Sequence, residues 1–443
     1  MKYLVFMFFF VFFGLIFFVF YKKERDVFHP ICFFSLMQFI NYAPSLLYKN
    51  TEHYGTFSDD NLLFLLICEA VFSIFVCAGF IFCDFVWKHF FYSKRTLSSP
   101  CRRNVPLIII ISIFMVGFLA KVYVIHSLGG IVYVITHSSE SYSAQSSGFG
   151  YISLLYKFMV ISILAMFERI KDGQSKKMNV IILVSMVVLY MGSYLIYSSR
   201  GAAFEIVLIL IFCKHYCFKK FTLKSIFNLK FLLIVLFFIG VSYGALYIRD
   251  FSNPSKNAST SLLTIVESFF SELSRLGRDI FTYSYFSSHE KWGGLSYLNL
   301  LTSFAPSSVF QWKPPVDDGL YLVNLANGYL VGPNDSLSSM TIRAGSIPFT
   351  SQGLLFANFG IFGLIFGGIL LGAIYWFSYF MVCNKRTPFY SCFYFYMVYM
   401  FGITTLLIFN VFQILVFMVL GELLFYKPRK SSSLSSFDSL RSN

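Results

Sequence analysis

Charge is scarce in this chain. Only 13% of its 443 residues are Asp, Glu, Lys or Arg, roughly half of the ~25% typical of a soluble domain. So few charges cannot cover a water-facing surface. Acidic residues are rarer still, 21 against 35 Lys and Arg, which leaves a formal net charge of +14. In a soluble chain that excess would point to nucleic acid. In a chain this apolar it belongs to cytoplasmic loops, and nucleic acid is excluded as a partner. Cysteine is present nine times, but never in an expected external loop, so no external disulfide framework is indicated. Cys213 and Cys217 flank His215, yet the remaining ligands of a zinc site are missing. No repeat relates the two halves, unlike many transporters.

What is abundant is apolar and aromatic. Hydrophobic residues make up 57%, with 58 Phe and 29 Tyr. No soluble core could hide that much apolar surface, so the solvent is lipid. The run from Tyr3 to Phe20 is too long for a signal-peptide core. Lys22, Lys23, Glu24 and Arg25 follow it instead of a small-residue cleavage site, so it reads as a retained first helix.

The expected fold is all-α, a polytopic transmembrane helix bundle of about eleven spans with a large extracytoplasmic loop. Apolar runs place spans near 3–20, 31–48, 61–86, 105–125, 150–167, 179–197, 201–218 and 229–248, and then near 353–382, 389–406 and 410–426. The last division is drawn near Asn410. The chain thus divides into spans 1–8 over 1–248, the loop over 249–352, spans 9–11 over 353–426, and a basic Ser-rich tail over 427–443. Alternate loops and the tail carry 23 of the 35 basic residues. That bias puts the C-terminus in the cytoplasm and the N-terminus outside.

The loop 249–352 holds half of the twelve Pro and is nearly neutral. It cannot lie in lipid, because irregular backbone there would leave polar groups unpaired. Leu262, Val266, Phe269, Leu273, Leu276 and Ile280 form one apolar stripe, which predicts an amphipathic helix lying on the membrane surface.

Arginines stand where the bundle meets the outside: Arg200, Arg249, Arg275, Arg278 and Arg343. A planar, permanently charged fork suits a lipid phosphate or pyrophosphate. The plain alternative is pairing with lipid headgroups, and Asp279 could simply brace Arg275 at i,i+4. Arg200 stands out because it opens a span after Ser198 and Ser199, where a helix N-terminus adds donors for an anion. His289 and Glu290 are candidates for a general base toward a sugar hydroxyl, although a solvated turn explains them too. Asp317 and Asp318, beside two prolines, read as a solvated turn. Glu69, Lys157 and Glu205 sit deep in spans and could form an ion path, while Lys121 and Glu422 lie near span ends and are expected to snorkel. Gly363, Gly367, Gly368 and Gly372 have the spacing for close helix approach. Gln352 and Asn358, at the outer end of that span, could touch substrate.

Two stretches carry a resemblance. Ser198-Ser199-Arg200-Gly201-Ala202-Ala203 resembles the Ser-Arg-Gly start of a span in Wzy-type O-antigen polymerases, the oligosaccharide repeat-unit polymerases. Gly353 to Gly363, with Asn358-Phe359-Gly360, is similar to the segment after that family's large loop, although Gln352 stands where members often have an acidic residue. The resemblance implies a glycosyltransferase at the periplasmic face of the bacterial inner membrane. It would join oligosaccharide units carried on undecaprenyl pyrophosphate, with arginines holding the pyrophosphate and no metal or cofactor. It also implies membrane lipid and a chain-length regulator protein as partners. An O-antigen ligase shares the layout, and a lipid flippase or polysaccharide transporter is the alternative of another class.

Overall fold

A computed structural model describes residues 1–47, 58–91, 101–137, 141, 149–171, 176–197, 200–223, 240, 274–303, 305, 310, 312–342 and 346–427. Helices α1 (Lys2–Glu24), α2 (Pro30–Leu47) and α3 (Asp59–Val86) open the chain. Lys22 and Lys23 fill the last turn of α1, where cations suit the helix C-terminus, and Arg25 ends it in the left-handed region. Then come α4 (Leu107–Ser127), α5 (Lys157–Lys171), α6 (Lys176–Leu195) and α7 (Arg200–Cys217). The expected loop contributes α8 (Leu276–Ser288) and α9 (Gly319–Ala326), and the chain closes with α10 (Ser351–Phe359), α11 (Ile361–Lys385), α12 (Pro388–Phe395) and α13 (Thr405–Phe425). Apart from a two-residue ladder, in which Cys101–Arg102 pairs antiparallel with Tyr426–Lys427, the described residues form no strand.

Seven helices are long and apolar enough to cross a membrane among the described residues: α1, α3, α4, α6, α11, α13 and the stretch Tyr151–Lys171. Their outer faces are those of a chain solvated by lipid. Phe10 and Phe18 of α1 and Phe366 and Phe377 of α11 are all at least half exposed, and burying them in hydrocarbon removes that exposure to water.

The most extensive packing joins α3 and α11. Glycine makes it possible. A Cβ on Gly79 would come within 2.3 Å of Ile369 O, and one on Gly372 within 2.1 Å of Val76 O. The stripe is divided between two jobs. Gly368 and Gly372 admit α3, whereas Gly363 and Gly367 admit Leu355 of α10.

Three expectations about elements need correction. The expected span 353–382 is broken at Gly360, whose φ of 63° and ψ of −143° fall where only glycine is at ease. The division drawn near Asn410 lies earlier, where a π turn at Tyr396–Met400 ends at Phe401 and Thr404 caps α13 with its side chain. Asn410 is inside α13. The amphipathic stripe reaches the described residues only in α8, which is not laid on a surface. Its Leu276, Ile280, Tyr283 and Phe286 are buried against the bundle, with α3 and α10 as main neighbours. The expected span 229–248, Gly240 apart, and the first part of the stripe lie outside the described residues.

The basic loops gather at one end. The Arg169 guanidinium donates to Val105 O, Lys171 Nζ to Arg386 O, and Lys220 Nζ lies 3.3 Å from Asp26 Oδ2. At the opposite end lie Tyr42, Glu69, α8 and α10, joined directly by hydrogen bonds.

Candidate functional site

Three helices begin at one place. Arg275 precedes α8, Thr350 caps α10 through Gly353 N–H, and Thr404 caps α13 through Leu407 N–H. Between these starts and α2 lies a cavity of about 250 Å³. Arg275 and Arg278 both line it, because three residues along a helix returns to the same face. Gln38, Asn41 and Gln352 add polar groups, whereas Phe34, Leu371, Tyr375, Met400, Phe401 and Leu407 make apolar wall. Two cationic side chains and the starts of α8 and α10 favour an anion, while the start of α13 already faces the Asp318 carboxyl. The apolar wall suits a hydrocarbon chain or ring face.

Behind the arginines is a buried polar chain. Asp279 Oδ2 accepts from Tyr42 OH at 2.5 Å, and Oδ1 accepts from Thr350 OH at 2.5 Å. The Gln352 amide nitrogen donates to Tyr42 OH at 2.5 Å and to Glu69 Oε2 at 3.1 Å. Tyr283 OH donates to Glu69 Oε1 at 2.8 Å. Each carboxylate oxygen therefore meets a donor, as burial demands. Burial raises the Asp279 carboxyl above its ordinary range, opposed by Thr350, Tyr42 and the nearby Arg278 and Arg275 charges. Asp279 thus faces Tyr42 and Thr350; the i,i+4 brace to Arg275 was the plain alternative for it.

The remaining predicted residues fall elsewhere. Arg249 and Arg343 lie outside the described residues, and Arg200 is the first residue of α7. The Arg278 guanidinium donates to Pro348 O and Ser274 O, which ties it to the loop before α10. His289 and Glu290 are exposed beyond the far end of α8. His289 stacks on Tyr285 with ring centres 3.9 Å apart. Eleven residues of helix separate it from Arg278, roughly 16 Å at 1.5 Å per residue, and neither His289 nor Glu290 lines the cavity. Asn358 is a fastener. Its Oδ1 accepts from Gly294 N–H and Ser296 OH, while Trp292 N–H and Gly293 N–H reach the carbonyls of Ala357 and Asn358 that α10 leaves open.

Other polar candidates are likewise engaged in the protein. Asp318, read as part of a solvated turn, is buried and accepts from Thr405 N–H and OH at the start of α13. Burial, with Asp317 beside it, pushes its carboxyl up to about 7. Lys121 does not snorkel: it is 1% exposed, with Nζ 4.2 to 4.5 Å from the ring centres of Tyr156, Tyr194 and Tyr197. Glu422 is half-buried and accepts from Thr387 OH. Lys157 and Glu205 share Tyr396 as a partner, whereas Glu69 bonds to Tyr283 and Gln352. Glu205 accepts from Tyr396 OH, and Lys157 Nζ lies over the Tyr396 ring, away from the Glu69 chain. His215, between Cys213 and Cys217, faces Asp26 at 2.9 Å instead of a metal. Cys32, Cys68, Cys77, Cys83, Cys213, Cys217, Cys383 and Cys392 are free thiols.

Sequence reasoning missed Gln38, Asn41, Tyr42 and Thr350. A signal existed for two of them. Gln38 and Asn41 are amides three residues apart in an apolar span, and polar groups there need a reason. Nothing local sets Tyr42 or Thr350 apart from the many other Tyr and Thr of the chain. Compared with known protein families, curated proteins and solved structures, the chain has no match.

Proposed function

We propose that this chain is a membrane-embedded glycosyltransferase that polymerises undecaprenyl-pyrophosphate-linked oligosaccharide units at the outer face of the bacterial inner membrane. The observation that carries the reading is the cavity where Arg275, Arg278 and the starts of α8 and α10 meet an apolar wall. An amphiphile with an anionic head fits that chemistry. The basic loops gathered at the far end support a cytoplasmic side there, which leaves the cavity facing outward. The short motifs around Arg200 and Asn358 add to the reading.

In the reaction, the acceptor hydroxyl oxygen bonds to the anomeric carbon of the donor unit. The bond from that carbon to the pyrophosphate oxygen breaks, undecaprenyl pyrophosphate leaves, and the hydroxyl proton is released. Negative charge grows on the departing pyrophosphate. Arg275 and Arg278, preset at the cavity wall, would stabilise that charge most where it is greatest. Two sites must be occupied, one by the donor lipid and one by the acceptor, and the cavity accounts for one pyrophosphate.

The test is genetic. A strain lacking the chain should display a single repeat unit on its lipid core, and Arg275→Ala with Arg278→Ala should fail to restore long chains at normal membrane levels. A bare core would instead indicate a ligase. Normal chain length in the double variant would remove the arginines from the site.

A further inference from the structure

Gln352 is held in a fixed orientation. The Tyr42 proton points to Asp279, and the Gln352 nitrogen lies 2.5 Å from Tyr42 OH and 3.1 Å from Glu69 Oε2, donating to both. Both amide hydrogens are thereby committed to the protein. The only group Gln352 can offer the cavity it lines is its carbonyl oxygen Oε1. Gln38 lies one helical turn before Tyr42 on α2, lines the same cavity, and is 4% exposed. Its Oε1 is buried without a hydrogen-bond partner among the described residues, a state that costs free energy unless something donates to it. Phosphate oxygens cannot satisfy either atom, since they too only accept. The arginines therefore serve one part of a ligand and the two amide oxygens another.

We infer that Gln38 and Gln352 read hydrogen-bond donors, sugar hydroxyls or acetamido N–H groups, on a ligand whose pyrophosphate lies against Arg275 and Arg278. Glu69 and Tyr42 are positioning residues that keep the Gln352 oxygen turned to the ligand. The inference rests on the transferase reading and narrows it. The cavity recognises the first sugar of a glycosylated pyrophosphate, not the lipid pyrophosphate alone.

The experiment uses the full chain in nanodiscs and two probes: undecaprenyl pyrophosphate, and the lipid-linked repeat unit extracted from cells lacking this chain. Wild type should bind the glycosylated lipid more tightly. Gln352→Met and Gln38→Met keep side-chain length and remove the oxygen. Each should weaken the glycosylated lipid by about 10-fold, the value of one hydrogen bond left unmade, and change undecaprenyl pyrophosphate by less than about twofold. Gln38→Glu keeps acceptors and should retain the preference while weakening both lipids through charge. Glu69→Gln lets the Gln352 amide turn over and should reduce the preference without loss of the unfolding midpoint. Should Gln352→Met fail to fold, Gln38→Met decides, because no protein donor to its oxygen is lost. Equal weakening of both lipids, or none, overturns the inference. Equal wild-type affinity for the two lipids overturns it alone, whereas binding of neither overturns the transferase reading with it.

Discussion

The two ends of the bundle each bury a carboxylate among cations, with opposite outcomes. At the basic end, Asp26 is fully buried and closed off. His215 Nε2 lies 2.9 Å from one oxygen, while Lys220 and Tyr379 OH meet the other at 3.3 and 3.2 Å. Phe28 N–H also donates to Asp26. The pairing ties the α1–α2 turn to the ends of α7 and α11. At the other end, Asp279 is saturated by two hydroxyls, and its neighbours Arg275 and Arg278 line open volume. A buried charge whose partners are all protein is a fastener. A buried charge whose cationic neighbours front a cavity is part of a site.

The largest expected break in this comparison is Asp26→Ala. It leaves His215 and Lys220 without their carboxylate and should cost about 3–5 kcal/mol of stability, read as a lower unfolding midpoint in detergent. Arg275→Ala with Arg278→Ala should do the reverse, with transfer falling by roughly 10²–10³-fold and a smaller drop in midpoint, from the Arg278 hydrogen bonds to Pro348 O and Ser274 O and the charges beside Asp279. If the arginine pair lowers stability as Asp26→Ala does, the contrast fails. Gly372→Leu acts on both ends together, because α3 and α11 span the distance between them. Overpacking there should cost about 1–3 kcal/mol, visible as reduced folded protein in membranes.

The smallest expected effect is in pH. At the basic end, burial would raise Asp26, but His215 and Lys220 outweigh it and hold its carboxyl below the ordinary 3.8. Its contribution is therefore present above that value and lost as pH falls through the lowered one. Asp318, at the cavity end, is pushed up to about 7. Its contribution is full below its ordinary value and lost as pH rises through about 7. Between about pH 6 and about pH 7.5 the chain should lose about 1 kcal/mol. Asp318→Asn keeps an acceptor for Thr405 and should flatten that slope. An unchanged slope would show that another group titrates there.

Much of the fold was legible because lipid imposes simple rules. Runs such as Tyr3–Phe20 and Leu107–Ile125 must be helices, since only helices or closed barrels satisfy backbone groups in hydrocarbon. The glycine spacing from Gly363 to Gly372 announced close packing. The break at Gly360 was not legible, because glycine is common in membrane helices and only its φ reveals the turn. The division of 389–426 was misplaced for a related reason: a π turn in an apolar run leaves no mark in composition. Among the site residues, Arg275, Arg278 and Gln352 were flagged by chemistry type and meet in one cavity. Asp279 looked like a brace, and Glu69 like a step in an ion path, because spacing along one helix says nothing about Tyr42 and Thr350 from other helices.

By itself, the sequence determined that the chain is solvated by lipid, that its segments are helices, and that positive charge is sorted between alternate loops. These follow from composition and local spacing, which act over a few turns of chain. Only the tertiary structure decided that Arg275, Arg278, Gln38 and Gln352 share a cavity, and that Asp26 and Lys121 are enclosed by protein. Those facts depend on side chains up to 353 residues apart in sequence, as Asp26 and Tyr379 are. Their contact is set by how glycines and caps let the helices approach, which no local pattern encodes.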